Sequence, residues 1–260
     1  MPNEFIDYEK KGRIAYVTIT RPERMNALHI HANEEMHEAF VDFRDDPDVW
    51  VAILTGQGER AFSAGNDLKY TAEQVERPQE RLSRRVGFGG IDNHFHCWKP
   101  IIAAINGYAL GGGLELAMSC DILIAAEHAM LGLPEARVGL VPGSGVQRLP
   151  RQIPLKIAMG MMLTGRHITA QEAHRLGLVN EVVPLAELMP TAERWANQIL
   201  EVAPLSARAI KQMTMTGLDS PLDVALNRTY SEWQNAQASD DVIEGPKAFS
   251  EKRKPNWTGA

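Results

Sequence analysis

The chain is poor in cysteine, with only Cys97 and Cys120 among its 260 residues. Two thiols are too few for the disulfide framework that stabilises many small secreted domains. We therefore expect both cysteines to be reduced thiols and the protein to be cytoplasmic.

The sequence also lacks a long apolar run and an excess of positive charge. No apolar stretch reaches the roughly 18 residues that a membrane-spanning helix needs. The N-terminal "MPNEFIDYEKKGR" has no apolar core of the kind that signal peptides carry. The net charge is −6, whereas nucleic acids and anionic membranes favour basic surfaces. We expect neither nucleic acid nor a membrane as a partner.

Several familiar site patterns are missing or incomplete. Gly-Ser-Gly at 143–145 lacks the outer glycines of a nucleophile elbow. The glycines at 111–113 do not continue as a dinucleotide-binding fingerprint. The histidines have no cysteine or carboxylate at ligand spacing, so we predict no metal site and expect solvated or core side chains. These histidines are His29, His31, His37, His94 and His96.

Strand and helix patterns alternate in the N-terminal part of the chain. "FIDYEKKGRIAYVTITRP" (5–22) alternates on either side of a Lys-Gly turn and predicts a β-hairpin. A helical pattern from Asn33 and a buried strand, "VWVAILTG" (49–56), follow. After a long irregular stretch at 70–99, which we read as a functional loop, the strand, helix and strand patterns recur. This order indicates an α/β fold.

The sequence after Pro184 is almost wholly helical. No linker separates it from the rest, so we expect it to pack on the core or on a neighbouring subunit. One apolar stripe has helical spacing and comprises Ala192, Trp195, Ala196, Ile199 and Leu200. Further helices are predicted at about 204–217, 221–236 and 239–250. We divide the chain into a core at 1–200 that holds the site and a C-terminal helical region at 201–260.

A glycine triplet, Gly111 to Gly113, stands at the start of the helix predicted over 112–119. A helix N-terminus presents unpaired N–H groups and a positive dipole end, and glycine lets another molecule approach them closely. An anion, or a carbonyl that becomes one, would be stabilised there. Close packing of the helix on a strand is the alternative explanation. A second turn, "AFSAGNDLKY" (61–70), could offer the N–H of Asn66 toward the same point.

Two glutamates stand among apolar residues near these turns. Glu115 lies three residues after Gly112, and Glu135 lies in the segment "GLPEARVGLVPGSG" (132–145). Most glutamates are solvated surface residues, and that alternative applies to each. A carboxylate in apolar surroundings has a raised pKa and can hold or transfer a proton near neutrality.

Together these stretches resemble the crotonase superfamily, and within it the enoyl-CoA hydratases, over essentially the whole chain. The 61–65 turn, the glycine triplet with Glu115, and Glu135 twenty residues later form a highly specific combination. The C-terminal "EGPKAFSEKRKPNW" and "GLPEARVGLVP" look most like the carnitinyl-CoA dehydratase branch. The matching stretches are "RPERMNAL" (21–28), "AFSAGNDLK" (61–69), "AAINGYALGGGLELAMSCDILIAAEHAMLGLPEARVGLVPGSG" (103–145), "LTGRHITAQEAHRLGLVNEVVP" (163–184) and "AFSEKRKPNW" (248–257).

The resemblance implies a crotonase (ClpP-like) spiral of repeated β-β-α units, with a C-terminal helical region for trimerisation. It implies that the N–H groups of Asn66 and Gly112 bind the thioester oxygen. Glu115 matches the glutamate that deprotonates water for attack at Cβ, and Glu135 matches the one that protonates Cα. The residues that match coenzyme A contacts are Arg24, Ala27, Ala64, Asp67 and Leu68, with Phe249 and Lys252 late in the chain, possible contributors from a neighbouring subunit.

The resemblance therefore implies an enoyl-CoA hydratase, with a coenzyme A thioester as substrate and no permanently bound cofactor. It also implies a homotrimer or a dimer of trimers. A carnitinyl-CoA-type dehydratase and a Δ3-Δ2 enoyl-CoA isomerase are alternatives on the same scaffold. A non-catalytic or RNA-binding member would have lost the glutamates or gained a basic helix. One segment departs from the family pattern: "PGSGVQRL" (142–149) is one residue shorter, which leaves the acyl group open.

Overall fold

The computed structural model describes residues 4–73, 86–92 and 95–260. Its strands are β1 (Ile6–Lys11), β2 (Ile14–Ile19), β3 (Val51–Gly56), β4 (Ala61–Ser63), β5 (Ile101–Ile105), β6 (Tyr108–Leu110), β7 (Ile122–Ala126), β8 (Met130–Gly132), β9 (His167–Thr169) and β10 (Glu181–Val183). Its helices are α1 (Ile30–Asp45), α2 (Leu68–Glu73), α3 (Gly112–Met118), α4 (Gly145–Gln152), α5 (Leu155–Thr164), α6 (Ala170–Arg175), α7 (Leu188–Leu200), α8 (Pro204–Gly217), α9 (Leu222–Asn227), α10 (Ser231–Ala238) and α11 (Asp241–Ser250). Short 3₁₀ helices span Pro22–Arg24, Phe88–Gly90, Glu135–Val138 and Leu185–Glu187.

The strands form two sheets, and from β3 to β8 successive strands belong alternately to one sheet and the other. The larger sheet has the order β1-β2-β3-β5-β7-β10, and the smaller has the order β4-β6-β8-β9. Each of β3, β5 and β7 in the larger sheet is followed by a strand of the smaller one, namely β4, β6 and β8. The larger sheet is parallel from β2 onward. The chain thus winds as a spiral of repeated units, which confirms the predicted fold class.

The larger sheet is covered on both faces. Leu54 and Ala103 point into the main core, which also contains Phe40 of α1. Ile53 and Ile102 point to the opposite face, where they pack with α7. The apolar stripe of α7 therefore lies on the larger sheet of the same chain. Of the two expected arrangements, on the core or on a neighbouring subunit, the first is confirmed for this helix. Burial on both faces explains why the central strands read as continuous apolar runs.

The structure refines several predicted boundaries. The hairpin β1–β2 turns at Gly12, whose φ is +59°. Helix α1 begins at Ile30 rather than Asn33, because Nδ1 of His29 accepts the Ala32 N–H at 3.1 Å and caps the helix. The helix predicted at 221–236 is two helices, α9 and α10. Tyr230 separates them with an extended backbone, and its hydroxyl donates to the Ala225 carbonyl at 2.9 Å.

The C-terminal helices α8 to α11 leave many large apolar side chains exposed. Those exposed on these helices are Ile210, Met215, Leu222, Val224, Leu226, Trp233, Val242, Ile243 and Phe249. Within residues 4–73, 86–92 and 95–260, no helix is long and apolar enough to cross a membrane. The division at residue 200 stays a prediction. Lys211 crosses it, because its ammonium donates to Asp121 at 2.7 Å and to the Lys99 carbonyl at 2.9 Å.

The loop between β2 and α1 is fixed by Asn26. Both Met25 and Asn26 have left-handed backbones, with φ of 55° and 53°. The Asn26 amide donates to the carbonyls of Gln57 and Ala61 at 3.0 and 2.7 Å. Its Oδ1 accepts the Arg21 N–H at 3.0 Å. The side chain thereby ties this loop to β4, which precedes the candidate site.

Replacing Asn26 with glycine tests the contribution of that side chain. Glycine adopts positive φ without strain, so Asn26→Gly removes only the hydrogen bonds. We expect the free energy of unfolding to fall by about 2–4 kcal/mol, since buried partners are left unsatisfied. Met25→Gly is the matched control and should change stability by less than about 1 kcal/mol. Equal losses in urea denaturation of the two variants would contradict this role of Asn26.

Candidate active site

The turn after β4 lies against the loop that Asn26 fixes. Leu28 and Asn66 form an isolated parallel bridge. The bridge uses the N–H groups of Leu28 and Asp67, which donate to Gly65 and Leu28 at 2.8 and 3.0 Å. The Asn66 N–H lies between them and takes no part in the bridge. Ser63 supports the turn, because its hydroxyl accepts the Gly65 N–H at 3.1 Å.

This turn is packed directly on the first turn of α3. A Cβ atom at Gly65, where φ is +86°, would lie 2.7 Å from the Gly112 nitrogen. A Cβ atom at Gly113 would lie 2.0 Å from the Ser63 carbonyl oxygen. The absence of both side chains allows backbone to meet backbone. The N–H groups of Asn66 and Gly112 are thereby brought to the same end of α3, and Gly112 is its first residue.

The structure supports the packing explanation of the glycine triplet at Gly113, while the anion-binding explanation stays a prediction for Gly112. Gly113 serves the close packing of helix on strand. Gly112 stands at the helix N-terminus, where an N–H group has no partner within the helix. Gly112 also has a packing neighbour, because a Cβ atom there would lie 2.6 Å from Cζ of Phe88. Phe88 belongs to the region predicted as a functional loop, of which residues 74–85 and 93–94 lie outside the described part.

Glu115 is buried one turn into α3, with 5% of its surface exposed. Its Oε1 accepts the Gly145 N–H at 2.6 Å. Burial raises the pKa of Glu115 to about 7; Asp92 and Glu135 add to the rise, while the Gly145 N–H and Arg148 oppose it. The sequence expectation of a carboxylate among apolar residues is confirmed. At this pKa the side chain holds or releases a proton near neutrality.

Glu135 approaches the same helix N-terminus from the segment after β8. Its Oε1 would lie 3.0 Å from a Cβ atom at Gly111. Its Oε2 is buried and makes no hydrogen bond to the residues that the structure describes. Burial raises the pKa of Glu135 above its ordinary value, against a backbone hydrogen bond that lowers it. The site therefore contains two carboxyl groups that burial biases toward the protonated form.

The residues that match coenzyme A contacts near the N-terminus of the chain are brought together. Ala64 donates its N–H to the Met25 carbonyl at 2.9 Å, which places it beside Arg24 and Ala27. Leu68 follows on α2 and is 45% exposed.

Asp67 shares this location, but its carboxylate is already paired within the protein. It accepts Arg21 Nη2 at 3.0 Å and the Tyr70 N–H at 3.1 Å. Burial raises the pKa of Asp67, but these hydrogen bonds and the positive charges of Arg21 and Arg24 hold it below its ordinary value. Arg21 opens the matching stretch 21–28, but sequence reasoning assigned it no role; its Nη1 also donates to the Ala27 carbonyl.

Phe249 lies in the last turn of α11, and Lys252 follows the helix. Phe249 is 87% exposed, and Lys252 has a left-handed backbone with φ of 56°. Among the described residues, no hydrogen bond or ion pair joins either of them to the loops at 21–28 and 64–68.

Sequence reasoning also missed a polar cluster next to Glu115. Asp92 is buried and accepts hydrogen bonds from Ser119, Ser144 and Arg148. Asp92 lies in a stretch without a recognisable pattern. Ser144 and Arg148 lie in the 142–149 segment. The departure of that segment from the family pattern was the only feature of the sequence that pointed to this cluster.

Comparison with known proteins agrees with this arrangement. A family model described as enoyl-CoA hydratase/isomerase matches residues 9–260. A carnitinyl-CoA dehydratase of Escherichia coli (strain K12) is 44% identical over 99% of both chains. The crystal structure of an enoyl-CoA hydratase from Mycobacterium tuberculosis H37Rv superposes with a TM-score of 0.90 at 36% identity, covering 98% of this chain and 99% of that one. The enoyl-CoA hydratase structure from Bacillus anthracis gives a TM-score of 0.89 at 35% identity, covering 99% and 100%.

The fold, the turn packed on the start of α3 and the nearby carboxyl groups of Glu115 and Glu135 are thus accompanied by sequence similarity along nearly the whole chain. Such similarity establishes common descent as well as a common fold. This protein belongs to the enoyl-CoA hydratase/isomerase family, the crotonase superfamily, whose named relatives here are hydro-lyases.

Proposed function

We propose that the protein adds water reversibly across the 2,3 double bond of an enoyl-CoA thioester. The observation that supports this proposal is the pair of carboxyl groups, buried Glu115 and partly buried Glu135, near the helix end where the turn that carries Asn66 packs on Gly112. Hydration needs a base for water, an acid for carbon and donors for an oxyanion. These four groups supply that set.

The two N–H groups bind the thioester carbonyl oxygen. As the water oxygen bonds to C3, the π electrons of the double bond move toward C2 and the carbonyl, and the carbonyl oxygen becomes an enolate. Backbone donors already held in place stabilise this charge without reorganisation. The positive dipole end of α3 acts on the same oxygen. Because the negative charge exists fully only near the transition state, these contacts accelerate the reaction rather than only binding substrate.

The two glutamates move the protons. Ionised Glu115 accepts a proton from the attacking water, and protonated Glu135 donates one to C2. The product is a 3-hydroxyacyl-CoA, and the reverse sequence is its dehydration. A carnitinyl-CoA-type dehydratase is therefore the second candidate, favoured by the 44% identical relative of that name. Isomerisation of the double bond needs only one carboxylate, so the presence of two supports it less.

The exposed apolar residues of α8 to α11 support assembly as a homotrimer or a dimer of trimers. Apolar patches of this extent on a lone subunit promote association. In such an assembly Phe249 and Lys252 would complete the coenzyme A site of a neighbour, and the 87% exposure of Phe249 leaves its side chain accessible to one. We propose a cytoplasmic location on the basis of the reduced thiols expected from the sequence.

Substituting each glutamate with glutamine tests the catalytic assignment. We expect Glu115→Gln and Glu135→Gln to lower turnover by about 100- to 10,000-fold, since general acid–base catalysis contributes that much. Binding of the coenzyme A ester should change little. The assay follows loss of conjugated thioester absorbance with crotonyl-CoA, crotonobetainyl-CoA and branched and medium-chain enoyl-CoA esters. Near-normal turnover in either variant would refute the role assigned to that residue.

Gly112→Val tests the oxyanion donor, and Phe88 provides a control. A side chain at Gly112 should obstruct the approach to its N–H and lower turnover by about 100- to 1,000-fold. It also meets the Phe88 ring, so lost stability alone would be ambiguous. Phe88→Ala removes this contact. In that background we expect Gly112→Val to leave the melting temperature at the value of Phe88→Ala alone, while turnover stays low. Recovery of both would assign Gly112 to packing alone.

Mixed oligomers test whether Lys252 acts on a neighbouring subunit. We expect light scattering to show a trimer or hexamer, and Lys252→Gln to raise KM for the coenzyme A ester. Glu115→Gln subunits are inactive but contribute an intact Lys252. Oligomers reassembled from both variants should therefore contain sites that combine normal KM with near wild-type turnover, a combination that neither parent has. A stable monomer, or mixtures without such sites, would contradict this arrangement.

A further inference from the structure

A buried polar cluster joins three segments beside Glu115. Oδ1 of Asp92 accepts from the Ser119 hydroxyl and from Arg148 Nε, both at 3.3 Å. It also accepts from the Ser144 hydroxyl, and Arg148 Nη2 donates to the Asp92 carbonyl. Ser119 follows the last residue of α3, and Ser144 and Arg148 belong to the start of α4. One carboxylate thus connects the end of α3 with the first turn of α4.

The cluster is linked to Glu115 through both helices. Gly145, which donates to Glu115 Oε1 at 2.6 Å, directly follows Ser144. The Ser119 hydroxyl donates to the Glu115 carbonyl oxygen at 2.8 Å. A shift of the first turn of α4 would therefore move the N–H donor that holds the Glu115 side chain.

The cluster also determines the charges that act on Glu115. The titratable groups that influence its carboxyl are Asp92 on the 86–92 segment, Glu135 after β8, and Arg148 on α4. Asp92 is almost completely buried, whereas a quarter of the Arg148 side chain is exposed. A buried carboxylate without its partner would be strongly unfavourable, which explains why the two are paired.

We propose that Asp92 and Arg148 form a positioning pair for Glu115, which holds the Gly145 N–H on its carboxylate and balances the charge around it. The pair touches neither substrate nor reacting atoms. It acts through Glu115, and so the inference rests on the proposed function. The proposal gives a role to the 142–149 segment beyond the Gly145 N–H that binds Glu115, because Ser144 and Arg148 of that segment bind Asp92.

The test is the acid limb of the pH profile of kcat/KM, where Glu115 must lose its proton to act as a base. Asp92→Asn preserves the acceptor oxygen and removes a negative charge, so the midpoint should move to lower pH. Arg148→Gln removes a positive charge, so the midpoint should move to higher pH. Each shift should be about one pH unit, as expected for neighbouring charges. Arg148→Lys should restore the wild-type midpoint.

Two further variants guard against general damage. Arg148→Gln leaves Asp92 unpaired and could prevent folding; the double variant Asp92→Asn/Arg148→Gln removes both charges and should have a midpoint near that of the wild type. Lys211→Met breaks a different, partly buried ion pair with Asp121 at 2.7 Å and should leave the midpoint unchanged. Absent shifts, shifts in the same direction, or an equal shift in Lys211→Met would overturn the proposal.

A stability measurement reads the same pKa without catalysis. The pKa of Glu115 is about 7 in the folded protein, above its ordinary value of 4.5. The folded state therefore keeps the proton longer than the unfolded state, and the free energy of unfolding falls as pH rises between these two values. Glu115→Gln removes this slope. For each Asp92 and Arg148 variant, the free energy of unfolding is measured against pH with and without Glu115→Gln. The difference between the two curves gives the folded-state pKa of Glu115, which is the upper end of this pH range.

The two measurements separate failure of the proposal from failure of the proposed function. Opposite shifts in the stability window, in a protein that hydrates no enoyl-CoA ester, would uphold the positioning pair and refute hydration. Hydration with no shift in either measurement would uphold the function and refute the pair.

Discussion

The contact between the turn after β4 and the first turn of α3 governs the rest of the site. It brings the Ser63 carbonyl so close to Gly113 that no side chain fits between them. This approach packs the turn that carries Asn66 on Gly112, the first residue of α3. Neither the Asn66 N–H nor the Gly112 N–H has a backbone hydrogen-bond partner among the described residues. The polar N-terminal end of α3 therefore stays available in surroundings that are otherwise mostly apolar.

The same arrangement removes the carboxyl groups of Glu115 and Glu135 from water, which is unfavourable for their ionised forms. Glu115 and Glu135 both lose hydration, and each favours the neutral form as a result. Glu135 keeps one oxygen without a hydrogen bond among the described residues. Such unsatisfied groups lower stability and are characteristic of functional sites. The Asn26 and Arg21 hydrogen bonds, which fix the neighbouring loops, provide stability close to where it is lost.

Sequence reasoning predicted the parts of this structure that depend on local pattern. The hairpin has an alternating pattern, β3, β5 and β7 are continuous apolar runs, and α8 was predicted with its observed bounds. The strands β4, β6 and β8 have three residues each, which is too short for a period, and so they were missed. The burial of Glu115 agrees with its apolar sequence neighbours, whereas Glu135, which also has apolar neighbours, is only partly buried. The Asp92–Arg148 pair could not be predicted, since its members lie 56 positions apart and no local pattern joins them.

The spiral also has a consequence for the order in which the site forms. Its first turn, β3–β4, carries Asn66; the second, β5–β6, leads to Gly112 and Glu115; and the third, β7–β8, ends at Glu135. A ribosome releases these turns one after another, from the N-terminus onward. Once the second turn has stacked on the first, the two N–H donors can meet. The nascent chain thus contains Asn66 and Gly112, the proposed oxyanion donors, before Glu135, the proposed proton donor. A chain truncated after α3 would contain the first two without the third.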